Sequence, residues 1–363
     1  MAPPLGIYVH VPFCAVRCGY CDFNTYVSTQ GREGFAGAIA QELDQARTLL
    51  GDRPADTVFI GGGTPSLLDP AELKTILDAI DLAPGAEVTS EANPESATHA
   101  WLEGARAAGI NRISFGMQSS QPHVLAELDR VHTPGRVAEA MADARAAGFE
   151  RISLDLIYGA NGETDADWEA SVRTALDLEP EHVSAYALIV EPGTRLHARV
   201  RAHEVPPPDD DALARRYERA DDLLTEAGLA WYEISNWGEP CRHNMGYWRG
   251  HDWWGAGPGA HSHMDGRRWW NLKRPLAWAA RVRNGASPAA GSEELDAETR
   301  RFERVMLRVR LAEGLDPAEL DDRGRDQAVR MQTEGLLATG GPYMTLTRRG
   351  RLLADAVARR LTP

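Results

Sequence analysis

The sequence contains no long apolar run. No stretch of its 363 residues approaches the roughly 18 consecutive apolar residues that a membrane-spanning helix requires. The N-terminal stretch MAPPLGIYVH also lacks the basic segment and the following apolar segment of a secretory signal peptide. These absences predict a cytoplasmic protein with no transmembrane segment, and they leave peripheral contact with a membrane open.

Basic charge is also scarce. Lys and Arg number 39 against 53 Asp and Glu, which gives a formal net charge of −14 at pH 7. A nucleic-acid groove needs a basic surface to contact phosphates, so nucleic acid is not a predicted partner. The hydrophobic fraction of 43% is that of a globular protein with a large core.

The chain has only four cysteines, too few for a disulfide framework at this length. Three of them, Cys14, Cys18 and Cys21, lie in the stretch FCAVRCGYCDF with C-x3-C-x2-C spacing, so one loop can present three thiolates. A zinc site normally takes four ligands, and the remaining cysteine, Cys241, lies 220 residues beyond Cys21. A [4Fe–4S] cluster is the alternative, because three thiolates leave one iron open to a substrate.

Short apolar or β-branched runs alternate with helical patterns over the first half of the chain. Helical periodicity is clear at 35–50, and Thr164 with Asp167 has the spacing of a capping box at the start of a later helix. The repeated order of strand and helix predicts an α/β fold with a parallel sheet, in the form of a partial (β/α)6 barrel. The predicted strands are 5–11, 57–60, 87–90, 112–115, 151–157 and 183–189.

Glycines and polar residues follow most of these strands. The cysteine loop follows the first strand, GGGT at 61–64 the second, Glu91 the third and GMQ at 116–118 the fourth, while Asp155 lies within the fifth. Any one of these segments could be an ordinary turn. Because parallel strands all end at the same face of a barrel, their repetition predicts a binding site at that face.

The remainder of the chain divides where the composition changes. We predict a barrel domain over 1–205, an extension over 206–290 and a smaller winged-helix-like domain over 291–363. The extension follows the Pro-rich break VPPPDDDALARR, and the stretch 231–278 holds eight of the ten tryptophans and four of the eleven histidines. Acidic and basic residues balance over 293–363, which favours a structural or docking role there over DNA binding.

Two stretches together resemble the radical S-adenosylmethionine (SAM) superfamily. They are YVHVPFCAVRCGYCDF at 8–23 and GGGTPS at 61–66. The resemblance implies that Cys14, Cys18 and Cys21 hold a [4Fe–4S] cluster whose fourth iron binds SAM. The glycine stretch alone would be weak support, because it matches neither of the two phosphate-binding glycine motifs.

Over nearly its whole length the chain resembles the branch that contains oxygen-independent coproporphyrinogen III oxidase and its haem-chaperone relatives. This resemblance implies that Ala187 and His261 lie near the adenine or a second SAM, and that His10 supports the site without being a ligand. Carboxylates and an amide suit ammonium and hydroxyl groups, and a guanidinium suits a carboxylate. The other implied SAM-binding residues are Tyr8, Tyr20, Gly62, Gly63, Thr64, Glu91, Gln118, Arg130 and Asp155.

Three features favour the chaperones within this branch. Phe23 stands where the oxidase pattern has a fourth clustered cysteine, and only thirteen residues precede Cys14, where oxidases carry a longer segment. CRHNMGYW at 241–248 resembles the His-Asn-x-x-Tyr-Trp motif that the chaperones associate with haem, which implies His243 as a haem ligand. From residue types alone, a hydrogen-bonded histidine among core tryptophans would explain this stretch as well.

The resemblance therefore predicts a haem chaperone that binds a [4Fe–4S] cluster, SAM and haem, and passes haem to an unidentified acceptor protein. The first alternative is an enzyme, an oxygen-independent coproporphyrinogen III oxidase. Radical methylation or cyclopropanation of a secondary metabolite is a second alternative. A structural zinc protein is a third, and it requires Cys241 to lie beside the cysteine loop.

Overall fold

A twelve-stranded sheet runs through residues 3–362, the part of the chain that the computed structural model describes. Its six central strands follow one another in chain order, and each is parallel to the next. They confirm the six predicted strands and the partial (β/α)6 barrel. These strands are β1 Leu5–Val11, β2 Ala55–Gly62, β3 Leu82–Ala92, β4 Arg112–Gln118, β5 Ile152–Tyr158 and β6 His182–Ala187.

Helices connect these strands along the outside of the barrel. They are α1 Phe35–Leu50, α2 Pro70–Asp78, α3 His99–Ala108, α4 Pro122–Glu127, α5 Pro134–Ala146 and α6 Asp165–Asp177. The bounds of α1 are those that the periodicity predicts, and Phe35, Ile39 and Leu43 of its apolar stripe are buried. At the start of α6 the Asp167 amide donates to Thr164 Oγ1 at 3.1 Å, which confirms the predicted capping box.

Each barrel strand separates two environments. In β5, Ile152, Leu154 and Leu156 belong to the main hydrophobic core, whereas Ser153 and Asp155 line the interior of the barrel. Side chains alternate between the two faces of a strand, so the barrel has an apolar outer layer and a polar interior. The helices pack against the outer layer, and the interior polar groups are left to face a cavity.

The segment after the barrel adds strands to both edges of the sheet. Its elements are α7 Arg195–Arg201, α8 Asp210–Glu226, β7 Trp231–Glu233, β8 Asn236–Gly238, α9 Arg242–Arg249, β9 Asp252–Ala256, β10 His261–Met264, β11 Arg267–Asn271, α10 Pro275–Arg283 and β12 Ala289–Glu294. Strand β8 pairs antiparallel with β6, and β9 pairs parallel with β1. The short helix α9 therefore joins the two edges of the open barrel.

The C-terminal region has a hydrophobic core of its own. Its helices are α11 Ala297–Arg308, α12 Asp322–Thr333, α13 Arg348–Leu352 and α14 Ala354–Leu361. Val305, Met331 and Val357 are buried in this core from three of these helices. Leu337 and Leu346 pair antiparallel across the Gly-Gly-Pro turn, in the winged-helix-like arrangement that the sequence predicts. The domain boundaries stay predictions.

No described helix is long and apolar enough to cross a bilayer.

Candidate functional site

A cavity of about 590 Å³ occupies the barrel interior, from the cysteine loop at one end to α9 at the other. We call these two ends the mouth and the floor of the cavity. The lining includes every predicted site residue except His261, which lies exposed on β10. The structure thus brings together side chains from all six barrel strands and the loops that follow them.

The cysteine loop is fastened at its base by backbone hydrogen bonds. The Cys14 amide donates to the Tyr26 carbonyl at 3.0 Å, and the Tyr26 amide donates to the Pro12 carbonyl at 2.7 Å. Within the loop, the Cys21 amide donates to the Cys18 carbonyl at 3.3 Å. All three thiols are partly exposed and line the mouth. Burial raises the pKa of Cys14 and of Cys21, so thiolates here require a positively charged partner.

The glycine stretch at 61–64 docks against the cysteine loop. The Thr64 amide donates to the Phe13 carbonyl at 2.8 Å, and a Cβ on Gly63 would lie 2.5 Å from the same carbonyl oxygen. Gly62 has a φ of 109°, and a Cβ there would lie 2.5 Å from two atoms of the His10 ring. Only glycine meets these constraints, so the stretch is required by close backbone approach at the mouth.

Tyr8 and His10 form a buried chain of hydrogen bonds along β1. Tyr8 Oη lies 2.9 Å from His10 Nδ1, and His10 Nε2 lies 3.0 Å from the Asn24 carbonyl. Because a carbonyl can only accept, Nε2 carries the proton and Tyr8 donates to Nδ1. Burial lowers the pKa of His10 and raises that of Tyr8, so both side chains are neutral near pH 7. His10 therefore orients Tyr8, in agreement with its predicted supporting role.

Two carboxyl groups inside the barrel, those of Glu91 and Asp155, repel each other when both are ionised. Burial, with the nearby charge of Asp155, raises the pKa of Glu91 to about 7, although the Gly62 amide donates to Glu91 Oε2 at 3.0 Å. Burial also raises the pKa of Asp155, which accepts a hydrogen bond from Ser114 Oγ at 2.8 Å. A cationic ligand between them would favour the ionised form of both.

Arg130 reaches the mouth from the segment that follows α4. Its Nη2 donates to Asn93 Oδ1 at 3.0 Å and to the Gly116 carbonyl at 3.1 Å, and its Nη1 lies 3.9 Å from Cys18 Sγ. Its Nε is buried without a hydrogen-bond partner. The sequence-based set of site residues omits Asn93, although a polar residue directly after a barrel strand and before Pro94 is a signal for it.

The backbone at Gln118 is in the left-handed region, with a φ of 63°. The register between β4 and β5 shifts between Gly116 and Gln118. A Cβ on Gly116 would lie 2.7 Å from Gln118 Nε2, so a side chain there would displace the Gln118 amide. A bulge with left-handed backbone at a strand end is typical of a functional site, because it aims a side chain away from the regular pleat.

The donor set at the mouth fits an iron–sulfur cluster together with SAM. Three thiols on one short loop suit an iron–sulfur cluster, and the positive charge of Arg130 favours the ionised form of Cys14. Arg130 Nε is free to donate, and Glu91 with Asp155 offers negative charge to an ammonium group. The residues present therefore match both groups that the sequence predicts.

The floor is formed by α9 packed across the amino ends of the barrel strands. His243 is buried on this helix, with Nδ1 at 2.8 Å from Thr57 Oγ1 and Nε2 at 2.8 Å from Tyr247 Oη. Its amide donates to Glu87 Oε1 at 3.0 Å, and its ring stacks on Phe59 with centroids 5.5 Å apart. Burial lowers the pKa of His243 to about 3. Both ring nitrogens are thus occupied by neighbouring hydroxyl groups.

Proteins with similar sequences identify the family to which the chain belongs. A model of the radical SAM superfamily matches residues 8–175. The haem chaperone HemW of Mycobacterium tuberculosis is 51% identical to this sequence over 99% of the chain and 95% of its own length. The chain belongs to the HemW family of radical SAM proteins. The HemW of Escherichia coli is 33% identical over 98% of this chain and 97% of its own length. The predicted resemblance is confirmed.

The HemW fold is shared with a solved enzyme structure. Coproporphyrinogen III oxidase (HemN) from Escherichia coli, described as a radical SAM enzyme, matches with a TM-score of 0.85 over 99% of this chain and 90% of that one. The sequence identity is 21%, so this likeness concerns the fold alone. It confirms the predicted fold class.

The fourth cysteine of the chain lies at the floor. The Cys241 thiol is buried and donates to Glu87 Oε1 at 3.4 Å, and burial raises the pKa of Cys241 to about 12. Glu87 pairs with Thr57 near the amino ends of the strands, whereas the cysteine loop follows the carboxyl end of β1. The zinc alternative therefore lacks its fourth thiol. No three His, Cys, Asp or Glu side chains in the described chain are spaced for a single metal ion.

Proposed function

We propose that the chain is a haem chaperone that binds a [4Fe–4S] cluster, SAM and haem, and passes haem to an acceptor protein. The observation that carries this proposal is that three thiols of one loop and the polar ends of the barrel strands line one cavity. Full-length similarity to relatives named haem chaperones supports the haem part. A cytoplasmic location and an unidentified acceptor protein belong to the same proposal.

At the mouth, Cys14, Cys18 and Cys21 would hold the cluster. Arg130 would offset the negative charge of the thiolates and bind the SAM carboxylate, since its Nη1 lies 3.9 Å from Cys18 Sγ and its Nε has no partner. The cluster, when bound, supplies an iron with an open coordination position and an electron carrier. Protein side chains supply the charge balance and the orientation of the ligand.

The remaining SAM shell would be polar and preorganised. Glu91 would accept a hydrogen bond from the SAM ammonium group. Its carboxylate already accepts one from the Gly62 amide. Asp155 and Gln118 would bind hydroxyl groups, and Tyr8, held by His10, would line the pocket beside them. Tyr20, Gly63, Thr64 and Ala187 would complete the lining. A second SAM at exposed His261 stays part of the proposal without support from the cavity.

For haem, His243 would be the protein ligand to the iron. Its lowered pKa keeps the imidazole neutral, which is the form that binds a metal. A histidine ligand usually keeps one ring nitrogen hydrogen-bonded, and the Thr57 hydroxyl would play that part at Nδ1. Coordination at Nε2 would then require the Tyr247 hydroxyl to move from its present position 2.8 Å away.

Anaerobic reconstitution followed by two titrations tests the proposal. About four irons and four sulfides per chain, with saturable SAM and haem binding, would support it. The decisive control is turnover of coproporphyrinogen III with SAM and a reductant. Rapid formation of protoporphyrinogen would overturn the chaperone in favour of the oxidase, and one zinc without sulfide would overturn both.

A further inference from the structure

The end of α4 has an unusual residue in a common motif. The Arg130 amide donates to the Leu125 carbonyl at 2.9 Å and the Asp129 amide to the Ala126 carbonyl at 3.1 Å, which is the Schellman pattern of a helix C-terminus. Asp129 occupies its left-handed position, with a φ of 53°. Glycine is preferred there because a side chain strains the left-handed backbone. The carboxylate at this position therefore calls for an explanation beyond helix termination.

The Asp129 carboxylate binds the backbone of the cysteine loop. Its Oδ2 accepts from the Gly19 amide at 2.8 Å and also pairs with the Arg195 side chain. The Leu196 amide donates to the Gly19 carbonyl at 2.8 Å, so Gly19 is held on both sides of its backbone. A Cβ on Gly19 would lie 2.6 Å from Asp129 Oδ2, so a side chain at this position would displace the carboxylate.

Gly19 lies directly between two of the thiols in the sequence, after Cys18 and two residues before Cys21. The residue after Asp129 is Arg130, whose Nη1 lies 3.9 Å from Cys18 Sγ. One helix end thus directs a carboxylate to the loop backbone and a guanidinium to a loop thiol. Both contacts fix the segment of the loop that must hold its shape for the cluster.

We propose that Asp129 is a positioning residue that holds the cysteine loop in the conformation required to bind the cluster. The inference rests on the proposed function for the identity of the cluster, while the tether itself is a property of the protein alone. A carboxylate acceptor makes a stronger hydrogen bond to an amide than a neutral group does. That hydrogen bond is the gain that offsets the strained backbone of Asp129.

Two substitutions separate tethering from helix termination. Asp129→Gly removes the acceptor but relieves the backbone strain, whereas Asp129→Asn tolerates the left-handed region and keeps an oxygen that can accept. His203→Gly is the matched control, because His203 is exposed at the same Schellman position of α7, with a φ of 56°. The Glu204 amide donates to the Arg199 carbonyl at 3.0 Å in that motif.

The first readout is amide hydrogen exchange at Gly19 in the metal-free chain. We expect Asp129→Gly to speed exchange about tenfold with an unchanged or raised melting temperature, and Asp129→Asn to restore most of the protection. His203→Gly should leave Gly19 unaffected. The second readout is the rate of iron loss to a chelator after reconstitution, which should rise about fivefold in Asp129→Gly only.

The outcomes distinguish this inference from the proposed function. Gly19 exchange and iron loss equal to those of the wild type in Asp129→Gly would overturn the inference and leave the proposed function intact. Faster Gly19 exchange in a chain that takes up no iron or sulfide would overturn the proposed function while supporting the tether. Faster Gly19 exchange shared by Asp129→Gly and His203→Gly would assign the effect to general loosening of the chain and overturn the inference.

Discussion

The mouth and the floor of the cavity differ in how far the protein satisfies its own polar groups. At the mouth, Arg130 Nε has no partner in the described chain, and burial raises the pKa of Glu91 to about 7. At the floor, both ring nitrogens of His243 are hydrogen-bonded, to Thr57 and Tyr247. Buried polar groups are normally paired, so the unpaired Arg130 Nε and the raised pKa of Glu91 indicate where a ligand completes the structure.

The same comparison separates two kinds of motif. The cysteine loop places three thiols in the lining of the cavity, beside the glycine stretch at 61–64. The stretch CRHNMGYW at 241–248 uses its polar groups to close the barrel, as Asn244 Nδ2 donates to Glu233 Oε1 at 3.0 Å. A haem ligand at the floor must therefore give up a contact that it already has, whereas a ligand at the mouth need not.

The largest expected effect is complete loss of the cluster in Cys18→Ala. The loop lies at the mouth and outside the main core, so the barrel should still unfold cooperatively in circular dichroism. Cys241→Ser is the matched control, because its hydroxyl can keep the hydrogen bond to Glu87. Iron and sulfide analysis should show a normal content in the control. A cluster retained in Cys18→Ala, or lost in Cys241→Ser, would erase the distinction between mouth and floor.

Next in size is His243→Ala. It removes a buried ring and leaves the hydroxyls of Thr57 and Tyr247 without their partner, so the free energy of unfolding should fall by roughly 4 kcal/mol. Haem affinity should weaken while the iron content stays normal. His99→Ala, exposed on α3, is the control for both denaturation and haem titration. An unchanged haem titration would leave His243 as a floor residue alone and refute its assignment as the ligand.

A smaller effect is expected for Gly62→Ala. The left-handed backbone and the His10 ring at 2.5 Å should together reduce the free energy of unfolding by about 3 kcal/mol. Gly85→Ala shares the positive φ, 72°, but has no atom within 4 Å of its Cβ, so it should lose only about 1 kcal/mol. Equal losses in urea denaturation would mean that close packing at the mouth contributes nothing.

The smallest expected change is the slope of stability with pH that Glu91 contributes. Its pKa of about 7 in the folded chain exceeds its ordinary value, so the folded chain keeps a proton that the unfolded chain releases. Stability should therefore fall as pH rises from about 4.5 to 7, with Glu91 contributing a slope of up to about 1.4 kcal/mol per pH unit. Glu91→Gln should remove that contribution in denaturation of the metal-free chain. The same slope in Glu91→Gln, with exposed Glu226→Gln as control, would assign the dependence to other carboxylates such as Asp155.

Local patterns predict the barrel well. The predicted bounds 5–11 and 35–50 agree with β1 and α1, because each element carries a clear period in its own residues. Strand β3 begins at Leu82 instead of 87, since its pairing with β2 extends beyond the β-branched run through an irregular register. The same regularity explains why most of the predicted site residues line one cavity at the strand ends. Their individual roles stay predictions, and the sequence-based set omits Asn93 and interior strand residues such as Ser114.

The extension could not be predicted in the same way. Its strands are short, and β9 pairs Asp252 with Leu5, which lies 247 residues earlier in the sequence. No periodicity in the local sequence indicates which distant strand such a segment will pair with. The floor depends on this pairing, because α9 contacts Thr57 as the connection between β8 and β9, which lie at opposite edges of the barrel. His261 illustrates the limit, because it is exposed on β10 outside the cavity lining and its predicted place near a ligand stays a prediction.

Helix α9 also determines how wide the barrel can be. The chain leaves one sheet edge at Gly238 and joins the other at Asp252, with eight helical residues between them. A helix of this length spans about 12 Å and resists stretching. It therefore fixes the distance between β8 and β9, which pair with β6 and β1 at the two edges of the barrel. Inserting one helical turn into α9 should therefore widen the barrel for a larger ligand while every residue that lines the cavity stays the same.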